Sequence, residues 1–366
     1  MKKTITLSAL ALSLMLAVSS SAYAKLDLKP LAQPITIAAQ GSFFAGGSVK
    51  QNEGTFDPYT LAPDGQTLHG DHAYVFYQVP LEVKGLPLVF LHGAGQSAKT
   101  WETTPDGREG FQTIFLAKGY PVYLVDQPRR GRAGNSTIPA NLTAAPYDQA
   151  WFDIFRVGMY PDYFENVSFS KDPEALNQYF RQITPNTGDY DAKVISYAMV
   201  KVFEETGDGV LITHSQGGGN GWYTAIKSPY VKAVISYEPG SSFVFPEGEV
   251  PQAMPALTGT LTPETVSLED FLKLTKIPIV IYYGDNIPND GDQSAANPGQ
   301  DNWRVRVKMA RLFVDTLNRH GGDAKLVLLP EVGLTGNTHF PFSDLNNEEV
   351  AKLMEDFLVE KNLGHK

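Results

Sequence analysis

The sequence predicts an α/β fold in which a mostly parallel central sheet carries helices on both faces. From residue 88 to the end of the chain, short continuous apolar runs alternate with segments of helical periodicity. Continuous apolar strands are typical of a sheet that is covered on both faces, and their alternation with helices is typical of parallel connections. Ligands of such sheets bind beyond the carboxyl ends of the strands, so functional residues are expected there.

The individual elements follow from local patterns along the chain. Residues 35–49 and 73–79 partly alternate between apolar and polar side chains, which predicts two antiparallel entry strands joined by a loop over 51–70. Further strands are predicted at 88–91, 122–125, 210–212, 233–237, 279–283 and 325–329, and helices at about 108–118, 192–205, 307–318 and 346–361. No internal repeat or low-complexity linker divides the chain, which indicates one domain over residues 25–366.

Two stretches interrupt this alternation. Residues 135–190 contain several prolines and a dense set of aromatic side chains. An insertion of this kind predicts a cap over a pocket, although an ordinary helical layer of the core fits the pattern equally well. A proline-rich loop excursion at about 241–265 is a candidate for a second wall of the same pocket.

The first 24 residues have the pattern of a secretory signal peptide. Lys2 and Lys3 precede a short apolar run, Leu7–Val18, and Ala22-Tyr-Ala24 is a small-x-small cleavage signal. The apolar run is too short for a stable membrane span. We therefore expect a mature chain that begins at Lys25 and is secreted or periplasmic.

Composition narrows the classes of partner. The chain has no cysteine, which excludes disulfides and thiolate metal sites. Its net charge of -10 at pH 7 makes nucleic acids and anionic membrane surfaces poor partners. No carboxylate–histidine cluster has metal-ligand spacing, and the glycines at 217–219 lack the lysine of a phosphate-binding loop. We expect a small-molecule substrate, no cofactor and no metal.

The candidate nucleophile is Ser215. It follows the apolar run at 210–212 and precedes three glycines and a predicted helix, so it occupies a sharp strand-to-helix turn. Such a turn lifts the hydroxyl clear of the sheet above a helix N-terminus, which favours developing negative charge. Gly217 supplies the small residue expected two positions later, whereas Thr213 stands where a glycine is usual. A serine–glycine turn without a catalytic role is the alternative.

A serine nucleophile needs a base and an acid that orients the base. On this kind of sheet they follow the serine in the order acid, then histidine. Of the seven histidines, only His339 follows the last core strand in a glycine-containing loop before the terminal helix. His214 precedes the serine on its strand, where its side chain is expected to point to the opposite face.

Two carboxylates compete for the place of the acid. Glu238 ends the strand after the serine helix, and Asp285 ends the next strand. The second position is the commoner one for this acid, so the pattern alone favours Asp285. The residues by themselves leave the choice open, and the other carboxylate is expected to orient its loop.

An oxyanion hole is predicted from two backbone N–H groups. One belongs to Gln216, directly after the serine, and the other to Ala94 in the loop after the strand at 88–91. The alternative for that loop is a tight glycine turn. The arginines at positions 129, 130 and 132 are expected to close the turn after the strand at 122–125, rather than to bind an acidic substrate group.

Seven short segments, in order over roughly residues 88 to 340, carry a resemblance to a known family. They are His92-Gly93, Thr100-Trp-Glu-Thr-Thr-Pro-Asp-Gly-Arg108, Lys118-Gly-Tyr120, Asp126-Gln127 with Gly131-Arg132, His214-Ser-Gln216, Glu238-Pro-Gly240 and Gly336-Asn-Thr-His339. The chain resembles a small group of secreted bacterial α/β-hydrolase esterases. The best known of these has two adjacent cysteines joined in a disulfide beside its oxyanion hole.

This resemblance implies the α/β-hydrolase fold and the hydrolysis of carboxylic esters through an acyl-enzyme. The acid of that group corresponds to Glu238, which leaves Asp285 as the second choice. The adjacent cysteines are replaced by Ala94-Gly95, and a glycine there is expected to make the oxyanion loop more mobile. The resemblance also implies a possible homodimer. An amidase, peptidase or lactone hydrolase with the same triad, or a catalytically silent small-ligand binder, are the rival functions.

Overall fold

A computed structural model describes residues 33–140, 142–289 and 297–364, and the predicted signal peptide lies outside these residues. The main sheet of the described chain has eight strands. They are β1 Ile37–Gln51, β2 Thr67–Pro80, β3 Leu88–Leu91, β4 Val122–Asp126, β5 Gly209–His214, β6 Val231–Tyr237, β7 Pro278–Tyr283 and β8 Asp323–Leu328.

The order across this sheet is β1-β2-β4-β3-β5-β6-β7-β8. β2 runs antiparallel to both β1 and β4, and the other neighbouring pairs are parallel. The predicted mostly parallel sheet with antiparallel entry strands is therefore confirmed. Because β3 and β5 to β8 all point the same way, the loops after these strands meet at one edge of the sheet.

The main helices of the described chain are α1 Phe111–Ala117, α2 Asp148–Ile154, α3 Pro173–Arg181, α4 Ala192–Thr206, α5 Gly217–Lys227, α6 Leu268–Leu274, α7 Pro298–Arg319 and α8 Asn347–Glu360. α7 begins well before the predicted start at residue 307, because Asn297 caps it by accepting from Gln300 N at 2.9 Å and Pro298 opens its first turn. No helix among the described residues has the length and apolar character that crossing a bilayer requires.

Helices cover both faces of the sheet because alternate strand residues point to opposite sides. Phe90 of β3 contacts Phe115 of α1, whereas Leu211 of β5 lies beneath Gly221 of α5. Phe90 pairs with Ile212 rather than with Leu211, so these two contacts lie on opposite faces. The apolar side chains of the central strands β3 and β5 are fully buried between the two layers.

The insertion at 135–190 packs onto the loop that carries His339. It contains α2, α3 and a short antiparallel pair, Gly158–Met159 with Asp162–Tyr163. Ser168 N donates to Gly336 O at 2.7 Å, and His339 N donates to Phe155 O at 2.9 Å. Phe155 is buried, so this part of the insertion is at once a packed layer and a neighbour of the candidate site.

The excursion at about 241–265 is anchored in the core. Its strand Val244–Pro246 pairs in parallel with Glu264–Val266. Phe243 and Phe245 both lie against Phe313 of α7, with ring centroids 5.8 Å and 6.0 Å apart. This end of the excursion therefore supports α7 rather than forming a free wall.

Candidate active site

Ser215 occupies a strained turn between β5 and α5. Its φ of 54° lies in the left-handed region, which a serine adopts only where its surroundings impose it. Ser215 N donates to Tyr237 O, and Gly240 N donates to Ser215 O, each at 3.0 Å. Hydrogen bonds to the end of β6 and to the loop beyond it therefore hold the serine at the apex of the turn.

Small residues let neighbouring segments approach this turn. A Cβ added at Gly93 would lie 2.6 Å from Ser215 Cβ, so the loop after β3 touches the serine. A Cβ at Gly221 would lie 2.7 Å from Thr213 Cγ2. Thr213 fits where a glycine is usual because Gly221 of the facing helix leaves room for its methyl group. Its hydroxyl donates to Ser236 Oγ at 2.8 Å.

His339 is fully buried and lies between two aromatic rings. Phe155 stacks on one side, with centroids 4.6 Å apart, and Trp303 packs at 4.0 Å. Nδ1 lies 3.0 Å from Glu238 Oε2, while Nε2 is buried without a hydrogen-bond partner. Burial, followed by the nearby cations Arg156 and Arg306, lowers the pKa of His339 well below its ordinary value. The imidazole is therefore neutral, donates from Nδ1 and keeps Nε2 free as a base.

His214 points to the expected face of the sheet, and there it contacts the loop of the candidate base, which the sequence did not predict. Its Nε2–H donates to His339 O at 2.9 Å, and the two rings lie 4.4 Å apart. It does point to the face of the sheet opposite Thr213, but the loop that carries His339 crosses that face. The residue before the serine thus anchors the backbone of the candidate base.

Of the two candidate acids, Glu238 contacts the imidazole. Its Oε2 accepts from His339 Nδ1, and its Oε1 accepts from Arg156 Nη2 at 2.6 Å and from the N–H of Gly284. The carboxylate of Asp285 instead accepts from Gly336 N at 2.7 Å, in the loop that precedes His339. The structure therefore places Glu238 at the base and Asp285 at its loop.

Arg156 is a site residue that sequence reasoning missed. It is fully buried, forms an ion pair with Glu238, and donates from Nε to Asp285 O at 2.8 Å. The side chain of Arg156 thereby connects the insertion to both candidate acids, Glu238 and Asp285. It lies beyond α2 in a stretch without a recognisable motif, so only the folding of the insertion onto the sheet reveals it.

The two predicted oxyanion donors belong to segments next to Ser215, because Gln216 follows it in the chain and Ala94 follows Gly93, which approaches its Cβ. The N–H groups of Ala94 and Gln216 donate to no acceptor in the described part of the chain, and both residues are partly exposed. Gln216 is the N-cap of α5, where a backbone N–H has no partner inside the helix. Both amides are thus available to a bound group beside the serine.

Two of the three arginines after β4 form ion pairs with carboxylates. Arg129 forms a buried ion pair with Asp71 at 2.7 Å, and Arg132 pairs with Asp126 at 3.0 Å. The pair of Arg132 with Asp126 closes the turn, as expected, and the pair of Arg129 with Asp71 ties the turn to β2. Within the described residues, no group of three or more histidine or carboxylate side chains has the arrangement of a metal site.

Comparison with known proteins agrees with the observed fold. A model of the alpha/beta hydrolase family matches residues 88–353. The chain belongs to the alpha/beta hydrolase family. It is 25% identical over 303 residues to the probable secreted lipase phiG of a fungal species (strain ATCC 74256), a match that covers 73% of this chain and 80% of that lipase.

A solved structure of this hydrolase fold, described as that of a novel bacterial esterase, is 31% identical to the chain with a TM-score of 0.71. The match covers 91% of this chain and 99% of the esterase. In this alpha/beta hydrolase the serine, the glutamate and the histidine occur in the order that such enzymes use. The disulfide of the group's best-known member has no counterpart, because the chain contains no cysteine.

Proposed function

We propose that this alpha/beta hydrolase is a secreted serine esterase that cleaves carboxylic esters through an acyl-enzyme. The observation that carries the proposal is the buried His339, whose Nδ1 is bonded to Glu238 while Nε2 is left free. A neutral imidazole held in this tautomer is what a serine hydroxyl needs as its base. Ser215 Oγ and His339 Nε2 form no hydrogen bond here, and such bonds commonly tighten only when substrate binds.

In the proposed reaction, Ser215 Oγ attacks the ester carbonyl carbon and passes its proton to His339 Nε2. The negative charge on the carbonyl oxygen is accepted by the N–H groups of Ala94 and Gln216. His339 then returns the proton to the leaving alcohol, and a water molecule repeats the sequence on the acyl-enzyme to release the acid. Glu238 holds the imidazole in orientation and stabilises its transient positive charge.

The relatives support the substrate class and the location. One is named a lipase and the other an esterase, and both names describe ester cleavage. Secretion is supported by the signal pattern of residues 1–24 and by the description of the fungal lipase as secreted. Esters of graded acyl length, compared by kcat/KM, would define the acyl group that the pocket accepts.

Labelling with a fluorophosphonate probe tests the proposal directly. The wild-type chain should take up one probe per molecule, at Ser215. Ser215→Ala should abolish labelling and lower ester turnover by about three to six orders of magnitude. Ser241 is a partly buried serine in the loop after β6. Ser241→Ala is therefore the matched control, and it should retain both probe labelling and ester turnover. Undiminished ester cleavage by Ser215→Ala would refute the assignment, and no labelling of the wild type would favour a silent binder.

A further inference from the structure

Arg130 is a buried cation behind the loop that carries Ala94. Its side chain is almost fully buried, and Nη1 donates to Gly93 O at 3.2 Å and to Gln96 O at 3.0 Å. On the far side, Nε donates to Asn186 Oδ1 at 2.6 Å. Its sequence neighbour Arg129 pairs with a carboxylate, but Arg130 forms no ion pair with a carboxylate of the described residues. The charge of nearby Asp126 also favours the guanidinium, but the hydrogen bonds described for it go to neutral oxygens, which it therefore holds in place.

His92 holds the same carbonyl oxygen. Its Nδ1 lies 2.9 Å from Gly93 O, and its Nε2 accepts from Gln127 N at 3.2 Å. A carbonyl oxygen can only accept and an amide N–H can only donate, so the imidazole is neutral with its proton on Nδ1. Burial and the charge of Arg130 lower the pKa of His92 to about 4, which keeps this tautomer neutral.

These two contacts determine where the N–H of Ala94 points. The carbonyl of Gly93 and the N–H of Ala94 belong to one planar trans peptide, so they point in opposite directions. With the oxygen held on the buried side by Arg130 and His92, the N–H is directed away from the interior. A rotated peptide would lose two hydrogen bonds and turn a carbonyl oxygen, instead of a donor, toward the space beside Ser215.

The remaining contacts of the loop support the same conclusion. Thr184 N donates to Gly95 O at 2.9 Å, so the carbonyls of Gly93, Gly95 and Gln96 are all bound. These bound carbonyls favour a constrained loop, whereas the glycine at position 95 by itself predicts a more mobile one.

We propose that Arg130 is a positioning residue that, together with His92, preforms the oxyanion hole by holding the Gly93–Ala94 peptide in one orientation. This inference rests on the proposed esterase function. It predicts that loss of the guanidinium weakens the binding of an oxyanion much more than the binding of the uncharged substrate, because only the former uses the N–H of Ala94.

The test compares Arg130→Met with Arg129→Met, since both remove a buried guanidinium but only the first touches the loop. The probe is a trifluoromethyl ketone. Ser215 Oγ adds to its carbonyl carbon, the serine proton passes to His339 Nε2, and the carbonyl oxygen becomes an oxyanion. Active sites are counted with the fluorophosphonate, and all values are expressed per active site. Arg130→Met should raise the inhibition constant and lower kcat by about 10²- to 10³-fold, the effect of losing one oxyanion donor. KM should change little.

Arg129→Met should lower thermal stability but leave the inhibition constant per active site close to that of the wild type. If Arg130→Met does not fold, Asn186→Ala, which removes the acceptor on the far side of the guanidinium, should give a smaller change in the same direction. An inhibition constant per active site that is unchanged in a folded Arg130→Met or Asn186→Ala variant would overturn the positioning role. A wild-type chain without ester turnover and without probe labelling would instead overturn the proposed function.

Discussion

Replacing Glu238 by glutamine changes the candidate site at a single atom. Oε1 accepts from Arg156 Nη2 and from the N–H of Gly284, so the amide oxygen of the glutamine must take that place. Its NH2 group then faces His339 Nδ1, where the wild type has the acceptor Oε2. An NH2 group requires an unprotonated Nδ1, and the imidazole proton moves to Nε2. In that tautomer Nε2 cannot take a proton from Ser215.

We expect Glu238→Gln to cause a large decrease in kcat. A base held in the wrong tautomer lowers kcat by about 10⁴-fold in an enzyme of this type, which corresponds to about 5.5 kcal/mol of transition-state free energy. The substitution also leaves Arg156 without its buried carboxylate partner, which destabilises the fold by about 3–5 kcal/mol. Activity must therefore be expressed per folded molecule, with the folded fraction taken from thermal melting.

Asp285→Asn is the matched control. The oxygen that accepts from Gly336 N at 2.7 Å also accepts from Asn166 Nδ2 at 3.0 Å, and an asparagine oxygen can keep both bonds. We expect kcat to fall by less than about tenfold, which is the scale of one lost hydrogen bond. The assay is the hydrolysis of one p-nitrophenyl ester by both variants under the same conditions. A larger loss of kcat for Asp285→Asn than for Glu238→Gln would refute the assignment of the acid.

Three further predictions concern the same region. The lowered pKa of His339 keeps it an unprotonated base in mild acid. Arg156→Met removes a neighbouring cation and should raise this pKa, so the acid limb of the pH profile of kcat/KM should move to higher pH. An acid limb that does not move would contradict the effect of the arginine charge. Gly93→Ala would place a Cβ 2.6 Å from Ser215 Cβ. The clash should displace the serine and lower kcat per active site by about 100-fold. A variant with the kcat of the wild type would show that the loop shifts and removes the clash. Burial raises the pKa of Asp344 to about 7, so the folded state keeps a proton that the unfolded state releases above about pH 4. The free energy of unfolding should therefore decline from about pH 4 to pH 7 by up to about 1.4 kcal/mol per pH unit. Urea unfolding of Asp344→Asn should show a flatter dependence of this free energy on pH, and a slope equal to that of the wild type would exclude this carboxyl as the cause.

Most strands and helices were predictable because their signals are local. β3 lies at the residues that its apolar run predicts, and β4 extends that prediction by one residue. α7 was predicted too short because its first half carries many polar and charged side chains on the exposed side. Trp303 and Val305 of that half are nevertheless buried. Trp303 donates to Ile154 O of the insertion at 2.7 Å, so its burial involves a segment that is distant in the chain.

The choice between the two acids shows where prediction from the residues stopped. Glu238 and Asp285 end neighbouring parallel strands, so both reach the same edge of the sheet, and no local pattern says which of them meets the histidine. The loop before His339 decides it, because Gly336 binds Asp285 and the imidazole beyond it then lies against Glu238.

The amino-acid order was enough to predict the serine turn and to propose a nucleophile, acid, base and two backbone donors. Each of these depends on residues that are adjacent in the chain or on the common direction of parallel strands. The roles of Arg156 and Arg130 required the folded chain. Arg156 reaches a carboxylate 82 positions away, and Arg130 reaches a carbonyl 37 positions away. Buried cations of this kind are stable only where segments distant in the chain bring oxygen atoms to them. The positions of those segments in space are set by packing of the folded chain.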